Sequence, residues 1–457
     1  MTLIGLVFLA ALVIGLLSGR NAFNHVLAST IGFNDSSMLN SGSVAVSPFY
    51  AGAIIWILAT CTIWRRPRER HGQGAAVLFV AFTGLVTALG PTLFAGMGVV
   101  ASDIGLDQQA GNLAPLMYST SNVAQTIYLL IVVTILALNT HDGLNERHVV
   151  TGLIVGSLTA LSSMIVANWP HNVFDSREDG FYSIETIRVR GQFAEPSHLG
   201  VFALVACFFF VTRLSTAKTV AMFGFNLAGA VVAGLLLSVS ATGTALVGLP
   251  IAVVVAGALL TVRWLRSGKP LSPLVVVAVA SVPAIVALLA FRYWATVVGA
   301  IDVKTGSTSY STRTFVDANA VRVLVESWFV GVGAGSNRAS SLLLMILSQI
   351  GIIGTILFLI VVLGAVRTGY ARAASIASAS GLVAFLCAAA VSFADLVSPI
   401  MWLLVVVCAS AVHKHDEDPN GHVAVEARPT LEVRSAHRPR NQHRVAGQAG
   451  RPRTIRP

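Results

Sequence analysis

The sequence predicts an all-α, polytopic transmembrane helix bundle of about twelve spans, and three observations lead to this prediction. Of the 457 residues, 55% are hydrophobic and only 11% are charged, whereas soluble domains carry roughly 25% charged residues. The apolar residues fall in blocks of about 20, the length that a helix needs to cross a bilayer. Basic residues collect in the short loops between the blocks. A soluble fold could not cover its surface with so few charges, so lipid is expected to cover it.

Twelve apolar blocks follow one another along the chain. The predicted spans are residues 2–18, 48–64, 75–94, 121–138, 149–167, 197–212, 219–238, 241–262, 272–291, 341–363, 376–393 and 400–412. The first block has neither a basic region before it nor a clear cleavage site, so we interpret it as a helix rather than a signal peptide.

The basic loops predict how the spans are oriented. Loop 65–74 contains four arginines and is expected on the cytoplasmic side. When spans are counted from this loop, the other basic loops fall on the same side: those with Arg147, Arg213/Lys218, Arg263/Arg266/Lys269 and Arg367/Arg372. Both termini are therefore predicted to be cytoplasmic. The opposite, outer face collects the long loops 19–47, 95–120, 168–196 and 292–340.

The net charge of +10 raises the possibility of nucleic-acid binding, but its distribution excludes this function. Nine of the 30 Lys and Arg residues lie after residue 412, and most of the others lie in short loops between spans. Residues 413–457 are predicted to be a disordered, basic cytoplasmic tail behind a transmembrane domain, 1–412. The four cysteines all lie inside apolar blocks, so no disulfide framework, metal site or cofactor is expected.

A polar stretch precedes the sixth predicted span. It reads Arg188-Val-Arg190-Gly-Gln-Phe-Ala-Glu195-Pro-Ser-His198 and places four ionisable groups at the mouth of the membrane. In an extended segment Arg188 and Arg190 point to one face, so both could hold one anion. Pro196 suits the first turn of a helix, where free N–H groups also favour an anion. The alternative is that the arginines only reach lipid headgroups, but ionisable groups at membrane depth are costly and usually functional.

The outer loop 292–340 contains a second charged group: Arg313, Asp317, Arg322, Glu326 and Arg338. Residues 313–328 are predicted to form an amphipathic helix that lies on the membrane. Its apolar face combines Val321, Leu324, Val325 and Trp328. The same spacing allows Arg313 to pair with Asp317 and Arg322 with Glu326, so surface ion pairing remains an alternative interpretation for all four.

A glycine-rich turn, Gly331-Val-Gly333-Ala-Gly335, follows this helix. A dinucleotide-binding loop is excluded, because no βαβ unit surrounds the glycines and they face outward. We instead predict a flexible turn that brings backbone N–H groups and Arg338 to the mouth of the tenth span. A guanidinium at that place could hold a phosphate through two parallel hydrogen bonds.

Together, the two loops resemble the O-antigen polymerase and O-antigen ligase superfamily of cell-envelope glycan assembly. One matching pattern is Arg188-x-x-Gly191-x-Phe193-x-Glu195-Pro196-Ser197 at the start of a span. The other is Arg313, then an amphipathic helix, then Gly331-Val-Gly333-x-Gly335 before the next span. The resemblance covers roughly residues 50–410, but only these two loops are specific.

The resemblance implies a metal-independent, inverting glycosyltransferase without cofactors in the bacterial plasma (inner) membrane. It would polymerise polyprenyl-diphosphate-linked oligosaccharide units at the outer face, with a flippase and a chain-length regulator as possible partners. By motif position, Arg188 and Arg313 would hold the diphosphate, with Arg190 and Arg338 nearby. Glu195 is the first candidate for the base that deprotonates the acceptor hydroxyl, and His198 is the second.

Other functions remain open at this stage. Ligases of the superfamily carry a histidine after the glycine-rich turn, where this chain has Asn337-Arg338, which favours a polymerase over a ligase. A transporter or flippase of lipid-linked oligosaccharides would also suit twelve spans. However, the ionisable residues collect at the outer face rather than at the midplane, and no inverted repeat is visible. A third alternative is a structural assembly partner without catalysis.

The topology can be tested by labelling. We expect cysteines introduced as Ser176→Cys and Thr308→Cys to react with a membrane-impermeant thiol reagent on intact cells, because both positions lie in predicted outer loops. Labelling of either position only after lysis would contradict the outward placement of these loops.

Overall fold

The computed structural model describes residues 2–41, 44–64, 74–101, 113–139, 143–166, 189–240, 242–267 and 308–410. Its α-helices, numbered in chain order, are α1 (Leu3–Ser18), α2 (Arg20–Ser29), α3 (Pro48–Thr62), α4 (Gly74–Leu93), α5 (Thr120–Leu138), α6 (Glu146–Ile165), α7 (Pro196–Leu214), α8 (Val220–Ser240), α9 (Gly243–Ser267), α10 (Thr308–Glu326), α11 (Leu342–Ala371), α12 (Ile376–Ser392) and α13 (Pro399–Ser410). A 3-10 helix, Thr30–Phe33, follows α2. The strands form two short antiparallel hairpins, in which Leu39–Ser41 pairs with Val44–Val46 and Gly98–Val99 pairs with Ala114–Pro115.

The chain is a membrane protein, as its composition predicts. Among the described residues, seven helices are long and apolar enough to cross a bilayer, namely α4 to α9 and α11. Four apolar helices are shorter: α1, α3, α12 and α13. Eleven of the twelve predicted spans therefore coincide with helices, while the ninth, 272–291, and the tail 413–457 lie outside the described residues.

Large apolar side chains point outward from the peripheral helices. Val220 on α8 is 88% exposed and Val254 on α9 is 70% exposed. Such a surface is compatible with lipid but not with water. By contrast, α13 is buried from Pro399 to Cys408, so the last helix is the centre of the bundle and its neighbours surround it.

The structure corrects the prediction for segment 19–47. Gly19 has a φ of 104°, and the chain turns there directly into α2, which packs back against α1 with Phe23, Leu27 and Ala28 buried. Hydropathy missed this helix because it is amphipathic and contains arginine, histidine and two asparagines. The segment between the first two predicted spans is therefore largely helical rather than a loop.

The helix α2 also changes the predicted topology. Thr2 hydrogen-bonds to Ser37 and Met38, close to the start of α3, whereas Arg20 lies over the ring of Trp64, past the end of α3. Ser410 bonds to Asn139, at the end of α5. Thr2 therefore lies at the end of the bundle where α3 and α5 begin, and Ser410 lies at the end where they finish. Within the described residues, Thr2 and Ser410 thus lie at opposite ends of the bundle, which differs from the predicted arrangement because α2 and the 3-10 helix add a further pass through the bundle.

One long helix is interrupted. Gly351 lies inside α11 with φ 66° and ψ −171°, a conformation open almost only to glycine. The interruption frees the backbone carbonyls of Ser348 and Gln349, which accept hydrogen bonds from the N–H groups of Val332 and Gly333 at 3.1 and 2.7 Å. The glycine-rich turn is thereby attached to the middle of α11.

Replacement of Gly351 tests this attachment. A Cβ atom at Gly351 would lie 2.3 Å from the carbonyl oxygen of Phe329, and the backbone conformation is itself strained for any other residue. We expect Gly351→Ala to lower the free energy of unfolding by about 2–4 kcal/mol, measured as a lower melting temperature in detergent. Gly364→Ala is the matched control on the same helix, since an added Cβ there meets nothing within 4 Å. Equal melting temperatures for the two variants would contradict the prediction.

Candidate functional site

A cavity of about 330 Å³ lies at the end of the bundle where α3, α7, α11 and α13 begin. Four segments that the sequence analysis places on the outer side of the membrane contribute to this cavity: 34–47, 195–198, 313–340 and 392–397. Gln125 and Tyr128 on α5 complete one wall. The cavity thus joins parts of the chain that lie more than 300 residues apart in sequence.

Four of the predicted site residues line this one cavity: Glu195, His198, Arg313 and Arg338. The two polar loops therefore converge, although over 100 residues separate them in sequence. Arg188 lies outside the described residues. Arg190 is described and partly buried, but it is not among the residues that line the cavity. The structure thus brings four of the six predicted residues together and leaves the catalytic role of each as a prediction.

Glu195 lies where the two loops meet. It is the residue before α7, Pro196 takes the first position of the helix as predicted, and the carboxylate accepts a hydrogen bond from Ser197 Oγ at 2.8 Å. Burial alone would raise the pKa of Glu195. However, His198, the Ser197 hydroxyl and Arg338 together lower this pKa below its usual value. Glu195 is therefore ionised at neutral pH and is stabilised from both loops.

Asp35 is a buried carboxylate that the sequence analysis did not select. Its Oδ2 atom lies 2.8 Å from Nδ1 of His198 and accepts a hydrogen bond from the backbone N–H of Ala194 at 2.9 Å. The Asp35 side chain is 7% exposed, and that of His198 is 26% exposed. Asp35 therefore holds His198 and the Glu195 segment in place from the end of the 3-10 helix.

Asp395 is a second carboxylate that the sequence analysis missed. It lies between α12 and α13 and lines the cavity, where it accepts hydrogen bonds from Val397 N at 3.1 Å and from Asn34 Nδ2 at 3.3 Å. Burial raises the pKa of Asp395 to about 6; Asp35 adds to this rise, and His198 opposes it. A lone acid between two apolar helices is a signal that could have identified it.

Arg313 is a half-buried cation that lines the cavity. The ion pair with Asp317 that the i,i+4 spacing allows does not form, because the Asp317 carboxylate instead accepts hydrogen bonds from Ser340 N at 2.8 Å and from Ser340 Oγ at 2.5 Å. Among the described residues, Arg313 has neither an ion-pair nor a hydrogen-bond partner. Its guanidinium lines the cavity and is therefore available to an anion there.

The glycine-rich turn is buried, which corrects the predicted flexible turn. Gly331, Gly333 and Gly335 all have positive φ angles, of 90°, 106° and 76°. The N–H groups of the turn bind protein oxygens: that of Gly331 binds Ser327 Oγ, and that of Ala334 binds Thr87 Oγ1. The turn does not offer these N–H groups to a ligand. Its function is to fix the segment that carries Arg338.

The helix predicted over 313–328 is present as α10, Thr308–Glu326, while its position on the membrane stays a prediction. Val321 and Val325 on α10 are 48% and 53% exposed, Trp328 just beyond it is 78% exposed, and the opposite face is buried. Arg322 forms the predicted pair with Glu326 at 3.5 Å. It also donates hydrogen bonds to Gly98 O at 2.6 Å and to Asn319 Oδ1 at 2.7 Å. Arg322 therefore fastens α10 to the Gly98 hairpin.

The described residues contain no group of three or more His, Cys, Asp or Glu side chains that could hold a metal ion. The cavity instead offers guanidinium groups, carboxylates, an imidazole, hydroxyls and carboxamides. Such a set can bind an anion and remove a proton from a hydroxyl. Comparison with family models and with curated proteins finds no match for this chain.

Proposed function

We propose that this protein is a membrane glycosyltransferase of the O-antigen and exopolysaccharide polymerase type. It joins polyprenyl-diphosphate-linked oligosaccharide units at the outer face of the bacterial plasma membrane. The observation that carries the proposal is the cavity in which Arg313 and Arg338 face Glu195 and Asp395. A cation for a leaving diphosphate and a base for an attacking hydroxyl are the two groups that this transfer needs. The motif resemblance of the same two loops supports the same reaction.

The proposal assigns the cavity to the outer side of the membrane. Arg147, Arg213 and the end of α3 lie at the opposite end of the bundle, and the positive-inside rule makes that end cytoplasmic. Arg20 also lies at that end, over Trp64. In this orientation Thr2 is on the outer side and Ser410 on the cytoplasmic side. The exposed apolar face of α10 then rests in the outer leaflet, close to where the polyprenyl chain would lie.

The arginines act on the leaving group. Arg313, together with Arg188 by motif position, binds the donor diphosphate, and Arg338 stabilises the negative charge that develops on it. Guanidinium groups suit this role because their planar fork matches two phosphate oxygens. Interactions that strengthen as charge develops lower the barrier rather than only improving binding. Arg190 is not among the residues that line the cavity, so we assign this step to the other three arginines.

A carboxylate acts on the acceptor. As its hydroxyl oxygen attacks the anomeric carbon, the bond from that carbon to the phosphate oxygen breaks, the configuration inverts, and the hydroxyl proton passes to the base. Glu195 is the motif candidate, but its lowered pKa makes it a weak base. The pKa of Asp395, raised to about 6, is closer to the value that general-base catalysis favours. We therefore assign the proton transfer to Asp395, with His198 and Asp35 holding the surrounding charges.

A transporter fits the site less well. Transporters use interrupted helices to present free backbone groups to ions or substrates. In this chain the carbonyls freed at Gly351 already accept hydrogen bonds from the glycine-rich turn. A ligase is less well supported too, since Asn337 takes the place of its histidine and is fully buried in a hydrogen-bond network.

The role of the arginines can be tested by complementation. In cells that lack the gene, we expect single lipid-linked repeat units to accumulate, and the wild-type gene should restore polymer. Arg313→Lys and Arg188→Lys should each reduce the polymerisation rate by about 100-fold at equal protein level, because lysine keeps the charge but loses the two-pronged contact. Arg367→Lys, at an exposed position on the other side of the bundle, is the control and should retain full activity.

The accumulated lipid separates the alternatives in this experiment. Long lipid-linked polymer would indicate a ligase, and the absence of any outer-leaflet intermediate would indicate a flippase. Full activity of both arginine variants would contradict a diphosphate site in these loops.

The assignment of the base predicts a pH dependence. Asp395 must be ionised to accept a proton, so the polymerisation rate should fall as the pH drops through about 6. Asp395→Asn should lower the rate by about 10²- to 10⁴-fold and should remove the decrease at low pH, which is the acidic limb of the pH–rate profile. Glu195→Gln should retain this limb. The rates are measured in membrane vesicles supplied with lipid-linked repeat units. Loss of the limb in Glu195→Gln instead would identify Glu195 as the base.

A further inference from the structure

Three polar atoms of the cavity wall are buried without a hydrogen-bond partner: Oε1 of Gln125, Oε1 of Gln349 and Oγ of Ser47. They belong to α5, to α11 and to the residue before α3. A buried polar atom without a partner is costly, and native proteins contain few of them. Three of them line one cavity, where the hydroxyl groups of a ligand would supply the missing hydrogen bonds.

The carboxamide of Gln349 is held in one orientation. Its Nε2 atom donates a hydrogen bond to the backbone carbonyl of Asn337 at 2.7 Å. Asn337 is itself fixed, because its Oδ1 accepts from Val100 N at 3.0 Å and its Nδ2 donates to Ser348 Oγ at 3.0 Å. The amide of Gln349 therefore presents its oxygen, an acceptor, as the unpartnered atom. Gln349 is completely buried.

The side chain of Ser47 does not cap the helix α3, although Ser47 occupies the N-cap position. It is the residue before α3, where a serine hydroxyl commonly accepts a hydrogen bond from the first turn of the helix. Here its side chain makes no such bond. The residue is only 6% exposed and lines the cavity. Its hydroxyl is thus left for a ligand.

An aromatic surface lies beside these oxygens. The rings of Tyr50 and Tyr128 stack with centroids 3.9 Å apart and an interplanar angle of 16°, and both residues line the cavity. Tyr50 is one helical turn after Ser47, and Tyr128 is one turn after Gln125, so each ring shares a helix face with one of the unpartnered oxygens. The wall therefore combines apolar ring surface with neutral hydrogen-bonding groups.

We infer that this wall, formed by Ser47, Tyr50, Gln125, Tyr128 and Gln349, is a binding subsite for a neutral sugar ring of the glycan. This inference rests on the proposed function, which it deepens by assigning the sugar to one wall and the diphosphate to the arginines. A sugar ring offers hydroxyl donors to the two amide oxygens and C–H groups to the ring of Tyr128, which Tyr50, itself only 2% exposed, supports from behind. An ionic ligand would instead need a countercharge on this wall, and none of its five residues provides one.

The test compares two probes on the full-length protein purified in detergent. One probe is bare undecaprenyl diphosphate, and the other is the lipid-linked oligosaccharide extracted from cells that lack the gene. Dissociation constants are measured for both. The wild-type protein should bind the oligosaccharide-bearing lipid more tightly. Gln125→Met and Ser47→Ala should each weaken that binding by about three- to tenfold and leave binding of the bare lipid unchanged, because a neutral hydrogen bond contributes that much.

Gln125→Met is the most informative variant, since Gln125 makes no hydrogen bond to any described residue and its loss breaks none in the fold. Gln349→Met also removes the bond to Asn337, so it needs a control that breaks a similar bond elsewhere. Gln192→Met is that control. Gln192 is equally buried, has an unpartnered Oε1 and donates to Gly156 O at 3.0 Å, but it does not line the cavity. It should leave the binding of both probes unchanged.

The outcomes separate the subsite from the proposed function. One outcome is that the wild type binds both lipids and that both variants, Gln125→Met and Ser47→Ala, bind the oligosaccharide-bearing lipid as tightly as the wild type does. In that case the subsite is wrong and the diphosphate site stands. Equal wild-type affinity for the two lipids also overturns the subsite alone. If the wild type binds neither lipid while Arg313→Lys behaves in the same way, the proposed function fails and the subsite fails with it.

Discussion

Polar groups inside a membrane protein have no water to bind, and this constraint shapes the whole cavity end of the bundle. Gly351 interrupts α11 and exposes two carbonyl groups that lipid could not satisfy. The glycine-rich turn supplies the N–H groups that they need. Its positive φ angles allow the turn to approach α11 so closely that a Cβ atom at Gly331 would lie 2.5 Å from Gln349 O. The same contact sets the positions of Asn337 and Arg338, so the site depends on a pairing between backbone groups.

The charged side chains of the cavity likewise need protein partners in place of water. Asp35 is buried but bonded to His198 and to a backbone N–H, and Glu195 is balanced by His198 and Arg338. Asp317 is held by Ser340 rather than by Arg313. The consequence is that Arg313 keeps its guanidinium for the cavity. A site that must bind an anionic diphosphate needs such a cation, and the surrounding network provides it by giving Asp317 a neutral partner.

The sequence predicted what depends on local pattern and missed what depends on tertiary contacts. Hydropathy located eleven helices, and the two charged loops correctly indicated four residues of the cavity. Hydropathy could not find α2, since its apolar residues cover only one face and are buried against α1 and α6. The i,i+4 spacing allowed a pair Arg313–Asp317 as an alternative, but this pair does not form because Ser340, which is 23 residues from Asp317, binds the carboxylate. Asp35 and Asp395 lie far apart in sequence, and only folding brings both beside His198.

The helix ends explain why these particular segments meet. The helices α3, α7, α11 and α13 all begin at the cavity, so each contributes residues from its first turns or from the loop before it. Their N-terminal ends also carry partial positive charge, which adds to the guanidinium groups in favouring an anion at this end of the bundle. Two walls result: the arginines face a diphosphate, and the neutral wall of Ser47, Tyr50, Gln125, Tyr128 and Gln349 faces a sugar. Asp395, in the loop between α12 and α13, shares the cavity with both walls, where the bond between sugar and phosphate would be broken.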